Sequence, residues 1–291
     1  MYQFRYGADL QKLCAEHHRD IAEIVLLAEM EENEKSSDEI WSRMEDAFSV
    51  MQNAVKNGLA ADIKSVGGLV GGNANRLNTY RESGGISGKA VLKAVSYALA
   101  VTEVNASMGK IVAAPTGGAS GVVPGVILTL KEELVLPNDT AIKGLFVAAA
   151  IGKIIAMNAT LSGAEGGCQA EVGSASAMAA GAAVFMSGGS PEASLDAAAL
   201  ALKGLLGLVC DPVAGLVEVP CSKRNATGTA NALICADLAL AGIKSFIPFD
   251  EMVEAMYKVG RLMSPNLRET AEGGCAITPT ALQFSLELAN K

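Results

Sequence analysis

SSDEIWSRMEDAFSVMQNAVKNG, residues 36–58, places Ile40, Met44, Phe48, Met51 and Val55 on one stripe with charged residues opposite. That spacing is the mark of an amphipathic helix over about 38–57. Both ends carry signals: Ser36 with Glu39 three residues later fits a capping box, and Gly58 fits the position just past the last turn. Working outward, Ser190 before Pro191 and Glu192 reads as an N-cap with proline in the first turn, opening a helix that runs to about Val209. Asp250 opens another that ends near Gly260. Similar patterns predict helices at about 88–107, 122–134, 140–160, 169–186, 223–241 and 280–289. Alternating β-branched patterns are nearly absent, so the expected fold is all-α: one compact domain of about ten helices rich in small residues. The glycine-rich stretch 67–88 reads as flexible, but not as a domain boundary.

Composition supports tight helical packing. Of 291 residues 50% are hydrophobic but only 4% aromatic, so the core must be built from Ala, Gly, Val, Leu, Ile and Met. Segments 145–161 and 172–186 are apolar enough to raise a membrane reading. Lys153 interrupts the first and the second is too short to span, so both are expected as buried helices and no membrane is expected. A net charge of −8 with scattered Lys and Arg argues against nucleic acid and for a small-molecule role. The first twenty residues carry Asp9, Lys12, Glu16 and Arg19 and no apolar run of signal-peptide length, so a cytoplasmic location is expected. Its six cysteines are then expected as thiols: packing residues, metal ligands or nucleophiles.

The unusual residues lie in three breaks: AAPTGGASGVVPG (113–125), SGAEGGC (162–168) and CDPVAGLVEVPC (210–221). Cys168 and Cys221 each stand just before a helix, the latter beside Lys223 and Arg224, settings that lower a thiol pKa. Cys210 ends the preceding helix, and the loop from it to Cys221 can fold back around an ion or cluster. The C-x10-C spacing with a remote third cysteine matches neither zinc ribbons nor the ferredoxin run. Spacing alone leaves ligand and ordinary buried cysteine both open.

Cys14 and Cys235 fall inside helical patterns and read as packing residues. Cys275 is harder to place, because AEGGC at 271–275 repeats AEGGC at 164–168. The GGISGK run (84–89) is one residue short of a phosphate loop and has Ala90 where a hydroxyl is needed. PTGGASG (115–121) offers N–H groups and the hydroxyls of Thr116 and Ser120, either for a small carboxylate or as a plain connector. His17 and His18, the only histidines, read as surface residues.

Three ordered matches carry a resemblance along almost the whole chain. EVNASMGKIVAAPTGGASGVVPGV (103–126), AEGGCQAEVGSASAMAA (164–180) and CDPVAGLVEVPCSKRNATGTANA (210–232) resemble the signatures of iron-sulfur-dependent L-serine dehydratases, as the alpha, catalytic chain. The resemblance implies one catalytic domain over 1–291. It implies a [4Fe-4S] cluster held by Cys168, Cys210 and Cys221, with one iron left open as a Lewis acid for the serine hydroxyl. It also implies conversion of L-serine through aminoacrylate to pyruvate and ammonia. Thr116, Gly118, Ser120 and Gly121 are expected near the substrate carboxylate, Asn225 near the cluster, and Arg224 as an electrostatic helper or a structural residue. No well-placed general base is visible, so a separate beta subunit is expected to complete the site. Cys275 is expected not to be a ligand, since it would occupy the iron that substrate needs. The competing readings are a zinc-dependent lyase or hydrolase on the same three cysteines and a non-catalytic helical subunit. A pyridoxal phosphate dehydratase ranks below both, because its α/β pattern is not visible.

Overall fold

In the computed structural model, which describes residues 1–60 and 62–290, thirteen α-helices follow one another and no strand occurs among the described residues. They are α1 (Gly7–His17), α2 (Ile21–Asn33), α3 (Ser37–Gly58), α4 (Asn73–Tyr80), α5 (Lys89–Ala106), α6 (Val122–Glu133) and α7 (Asn138–Asn158). The second half holds α8 (Gly163–Gly166), α9 (Ser174–Met186), α10 (Pro191–Gly204), α11 (Cys221–Leu240), α12 (Phe249–Leu262) and α13 (Pro279–Ala289). The all-α expectation holds.

Helix α9 is the hub. Its sequence SASAMAAGAAVFM is almost all small side chains, nearly every residue is buried, and α6, α7, α10 and α11 pack around it. Small residues let backbones approach, and here they must: a Cβ on Gly181 would stand 2.2 Å from Ile151 Cδ1 of α7. Helix α7 is the one described helix long and apolar enough to cross a membrane, and 67% of its apolar window is buried inside the protein. Its surface is covered by α2, α3, α6 and α9.

The caps read from sequence are present. Ser36 Oγ accepts from Glu39 N at 3.3 Å while Glu39 Oε2 accepts from Ser36 N at 3.1 Å, and Ser190 Oγ accepts from Ala193 N at 3.1 Å. Gly58 departs from its expected role. It is the last residue of α3 rather than a left-handed cap, and it is glycine because a Cβ there would lie 2.0 Å from the Ala100 carbonyl oxygen of α5. Gly58→Ala should therefore destabilise the protein. The ~1 kcal/mol a helix gains from Ala over Gly is outweighed by overpacking against backbone, for a net loss of about 1–2 kcal/mol. Urea unfolding checks this.

Three stretches differ from the sequence reading, the first two by being more ordered. The N-terminal segment forms α1 and α2, and α1 starts where Asp250, at the head of α12, accepts hydrogen bonds from Gly7 N (2.6 Å) and Ala8 N (3.1 Å). The 67–88 stretch is held by two buried carboxylates. Glu218 accepts from Ser65 Oγ (2.6 Å), Gly67 N (2.7 Å) and Leu69 N (2.9 Å), and Glu103 accepts from Asn73 N (2.8 Å) at the start of α4. Finally, α10 ends at Gly204, not near Val209. Gln169 draws the following connector away: its Oε1 accepts from Gly207 N at 2.8 Å and its N–H donates to Leu208 O at 2.9 Å. That detour delivers Cys210.

Candidate functional site

Each of the three cysteines comes from a different break. Cys168 caps a single π-helical turn, Gln169–Gly173, that leads into α9; such turns recur at functional sites. Cys221 is the first residue of α11. Cys210 is clamped by backbone on both sides, its N–H donating to Leu267 O (2.8 Å) and its carbonyl accepting from Glu269 N (2.7 Å). The 210–221 loop folds back on itself, with Val213 N donating to Val219 O at 2.9 Å. Cys168 and Cys210 are buried and Cys221 half-buried, and the three thiols lie close enough to feel one another's charge.

The surroundings raise rather than lower the pKa of these thiols, contrary to the sequence expectation. Burial first, then the negative charge of Glu171, pushes Cys168 up to about 12 and Cys221 up to about 11, with Arg224 opposing both. Cys210 is raised by the same two causes, with Cys168, Glu269 and Cys221 adding to them. Desolvation of an anion outweighs the helix terminus and the nearby cation. A bound metal reverses this balance by taking the thiolate's charge.

Glu171 is the residue that sequence reasoning missed. It sits in the π-helical turn three residues after Cys168, accepts from Thr116 Oγ1 at 2.7 Å, and places Oε2 3.8 Å from Cys210 Sγ. Burial, partly offset by the Thr116 hydrogen bond, raises its pKa above the usual carboxylate range, with Glu269 contributing. The available signal was a lone acid in a run of Ala, Gly, Val and Ser.

The other expected site residues divide. Thr116 and Gly118 lie beside Glu171, a Cβ on Gly118 coming within 3.4 Å of Glu171 Oε1. Gly117 and Gly118 open a 3-10 turn, where the first N–H groups have no partner within the turn itself. Ser120 is fully buried and its hydroxyl donates to Gly117 O at 2.8 Å, so it braces the loop. The Gly121 N–H donates to Asn225 Oδ1 at 3.0 Å, and a Cβ there would strike Ala98 O at 2.3 Å, so Gly121 serves packing. Asn225 is fully buried; its Nδ2 donates to Gly118 O (2.7 Å) and Cys221 O (2.9 Å), which ties the 115–121 loop to the cysteine. Arg224 donates to Val209 O (2.6 Å) and pairs with buried Asp211 at 2.6 Å. Both its tethers are structural.

Cys275 is exposed, unlike its counterpart Cys168 in the repeated AEGGC, and its N–H donates to Asp211 Oδ2 at 2.6 Å. Cys14 and Cys235 are buried inside α1 and α11, away from the three breaks. His17 and His18 are exposed at the end of α1, His17 against the Tyr2 ring. A cleft of about 370 Å³ between α2, α3 and α7 is lined by Val25, Ile40 and Lys153 and includes none of these groups. Among the described residues no three His, Cys, Asp or Glu side chains group closely enough for one metal ion.

The sequence profile of the serine dehydratase alpha chain matches residues 16–276. This chain belongs to that family. The probable L-serine dehydratase alpha chain of Bacillus subtilis is 51% identical over 286 residues, which cover 98% of this chain and 95% of the relative. The L-serine dehydratase alpha chain of Peptoniphilus asaccharolyticus is 46% identical over 92% of each. L-serine dehydratase 2 of Escherichia coli is 35% identical over 95% of this chain, but the match covers only 62% of that longer protein. For a serine dehydratase alpha chain, the loops at Thr116, Cys168 and Cys210 are thus the place where the fold concentrates reactive and polar groups.

Proposed function

We propose that this chain is the catalytic alpha subunit of an L-serine ammonia-lyase, converting L-serine to pyruvate and ammonia with a [4Fe-4S] cluster on Cys168, Cys210 and Cys221. The observation that carries the reading is the meeting of these three thiols, from three separate breaks, beside the Thr116–Gly118 loop and Glu171. The donor set fits the group: three sulfurs, with no fourth thiol buried among them. When bound, the cluster supplies a Lewis-acidic iron that makes the β-hydroxyl a competent leaving group.

The chain's own residues hold and orient the rest of the substrate. The N–H groups opening the 117–119 turn receive the carboxylate. Asn225 keeps that loop in register with Cys221, and Arg224 with Asp211 fixes the loop that carries Cys210. Loss of the α-proton and the β-hydroxyl leaves aminoacrylate and water; tautomerisation and hydrolysis then give pyruvate and ammonia. The proton acceptor comes from a separate beta subunit. In support, the longer Escherichia coli relative carries more than a third of its length outside the matched region, and the name alpha chain on two relatives of this chain's length implies a companion. A cytoplasmic location goes with this reading.

The test is an anaerobic absorption spectrum with iron and sulfide analysis, followed by pyruvate formation with and without the beta subunit. About four irons per chain and turnover only in the pair are expected. A colourless, zinc-containing or metal-free protein after reconstitution would refute the cluster. Full turnover by the isolated chain would refute the shared site.

A further inference from the structure

A serine molecule carries three groups to be recognised, and the residues described so far receive two: the hydroxyl and the carboxylate. Its α-ammonium needs an anion. Because ammonium and carboxylate share one carbon, their receptors must be adjacent in the site. Glu171 meets that condition: its Oε1 lies 3.4 Å from where a Gly118 Cβ would stand and accepts from Thr116 Oγ1 at 2.7 Å. We infer that Glu171 is the residue that receives the substrate's α-ammonium, with the Thr116 hydroxyl as a second acceptor, and so selects a 2-amino acid over a 2-hydroxy acid. The inference rests on the reading of the chain as a serine dehydratase.

Three further observations support it. Two of the charged groups near the cysteines are occupied elsewhere: Arg224 by Asp211 and Val209 O, and Asp211 also by Cys275 N. Arg224 is therefore not free to draw a carboxylate toward itself, and a carboxylate on the loop N–H groups puts the ammonium beside Glu171. Second, Glu171 Oε2 faces Cys210 Sγ at 3.8 Å and the close-packed Gly163, where a Cβ would lie 2.6 Å away. A metal-bound cysteine has no S–H to give, so this oxygen would then lack its donor. Third, Glu269 adds its negative charge at Glu171, and a cation is the group that such a field favours. The Thr116 bond also fixes the hydroxyl: its proton goes to Glu171, and its lone pairs point outward as acceptors.

The test compares ligand binding to the reconstituted holoenzyme with its beta subunit, in wild type and Glu171→Gln. The probes are L-serine and L-glycerate, which carries a hydroxyl in place of the ammonium. Cluster content is read from iron, sulfide and absorbance, and ligand affinity from the perturbation of the cluster spectrum in the first moments after rapid mixing, before L-serine is consumed. The expected result is a full cluster in E171Q and about 10–100-fold weaker L-serine binding, the loss that goes with one charge-assisted hydrogen bond, with L-glycerate affinity unchanged or improved. Serine binding within about twofold of wild type, an equal loss for both ligands, or loss of the cluster would each overturn the inference while leaving the proposed function standing. A wild type that takes up no cluster and binds no serine would overturn both.

Discussion

Serine in place of Cys168, Cys210 or Cys221 is expected to leave an anaerobically reconstituted chain without its iron and sulfide, whereas Cys275→Ser, Cys14→Ser and Cys235→Ser retain both. The effect should be near complete, exceeding the roughly 10–100-fold that loss of an outer-shell partner costs a metal site. The reason is the local energetics. Each of the three thiols is raised above its usual pKa by burial and by Glu171, which disfavours the free thiolate and favours one whose charge a metal takes. An alcohol cannot substitute as a soft anionic ligand. Cys275 is exposed and engages Asp211 through its backbone, a contact that Ser preserves. Iron retained in Cys210→Ser, or lost in Cys275→Ser, would show that the ligand set has been misassigned.

The second large effect falls on stability. Asp211 is 2% exposed and pairs with Arg224, whose side chain is 16% exposed. Asp211→Ala would leave that guanidinium with only Val209 O and the Cys275 N–H without its acceptor. Removing one partner of a buried ion pair costs about 3–5 kcal/mol, and urea unfolding of the metal-free chain should show a loss of that order. Asp211→Asn keeps an acceptor for Cys275 N and most of the volume, so it should lose distinctly less. A loss below about 1 kcal/mol in Asp211→Ala would place the pair with surface ion pairs and remove the support assigned to the Cys210 loop.

How much of this was legible in the sequence depends on the range of the interaction. The 38–57 helix, its capping box and the Ser190 cap were readable because both partners of each contact lie within four residues. Helices α1 and α4 were not, since what fixes them comes from far along the chain: Asp250 for α1, Glu103 and Glu218 for the segment around α4. Gly58 shows the same limit, being a helix stop by local rule and a contact surface for Ala100 in fact.

The site follows that division. Sequence alone determined the helical class, the three breaks, the candidate cysteines and, through the ordered motifs, the family, because periodicity and motif are properties of neighbouring residues. Only the tertiary structure decided that Ser120, Gly121, Asn225 and Arg224 have their polar groups engaged within the scaffold, and that Glu171 lies between Thr116 and Cys210. A side chain's chemistry depends on what desolvates it and what it bonds to. For Glu171 those groups are 55 residues upstream and 39 downstream, distances that no local pattern spans but close packing of small-residue helices brings together.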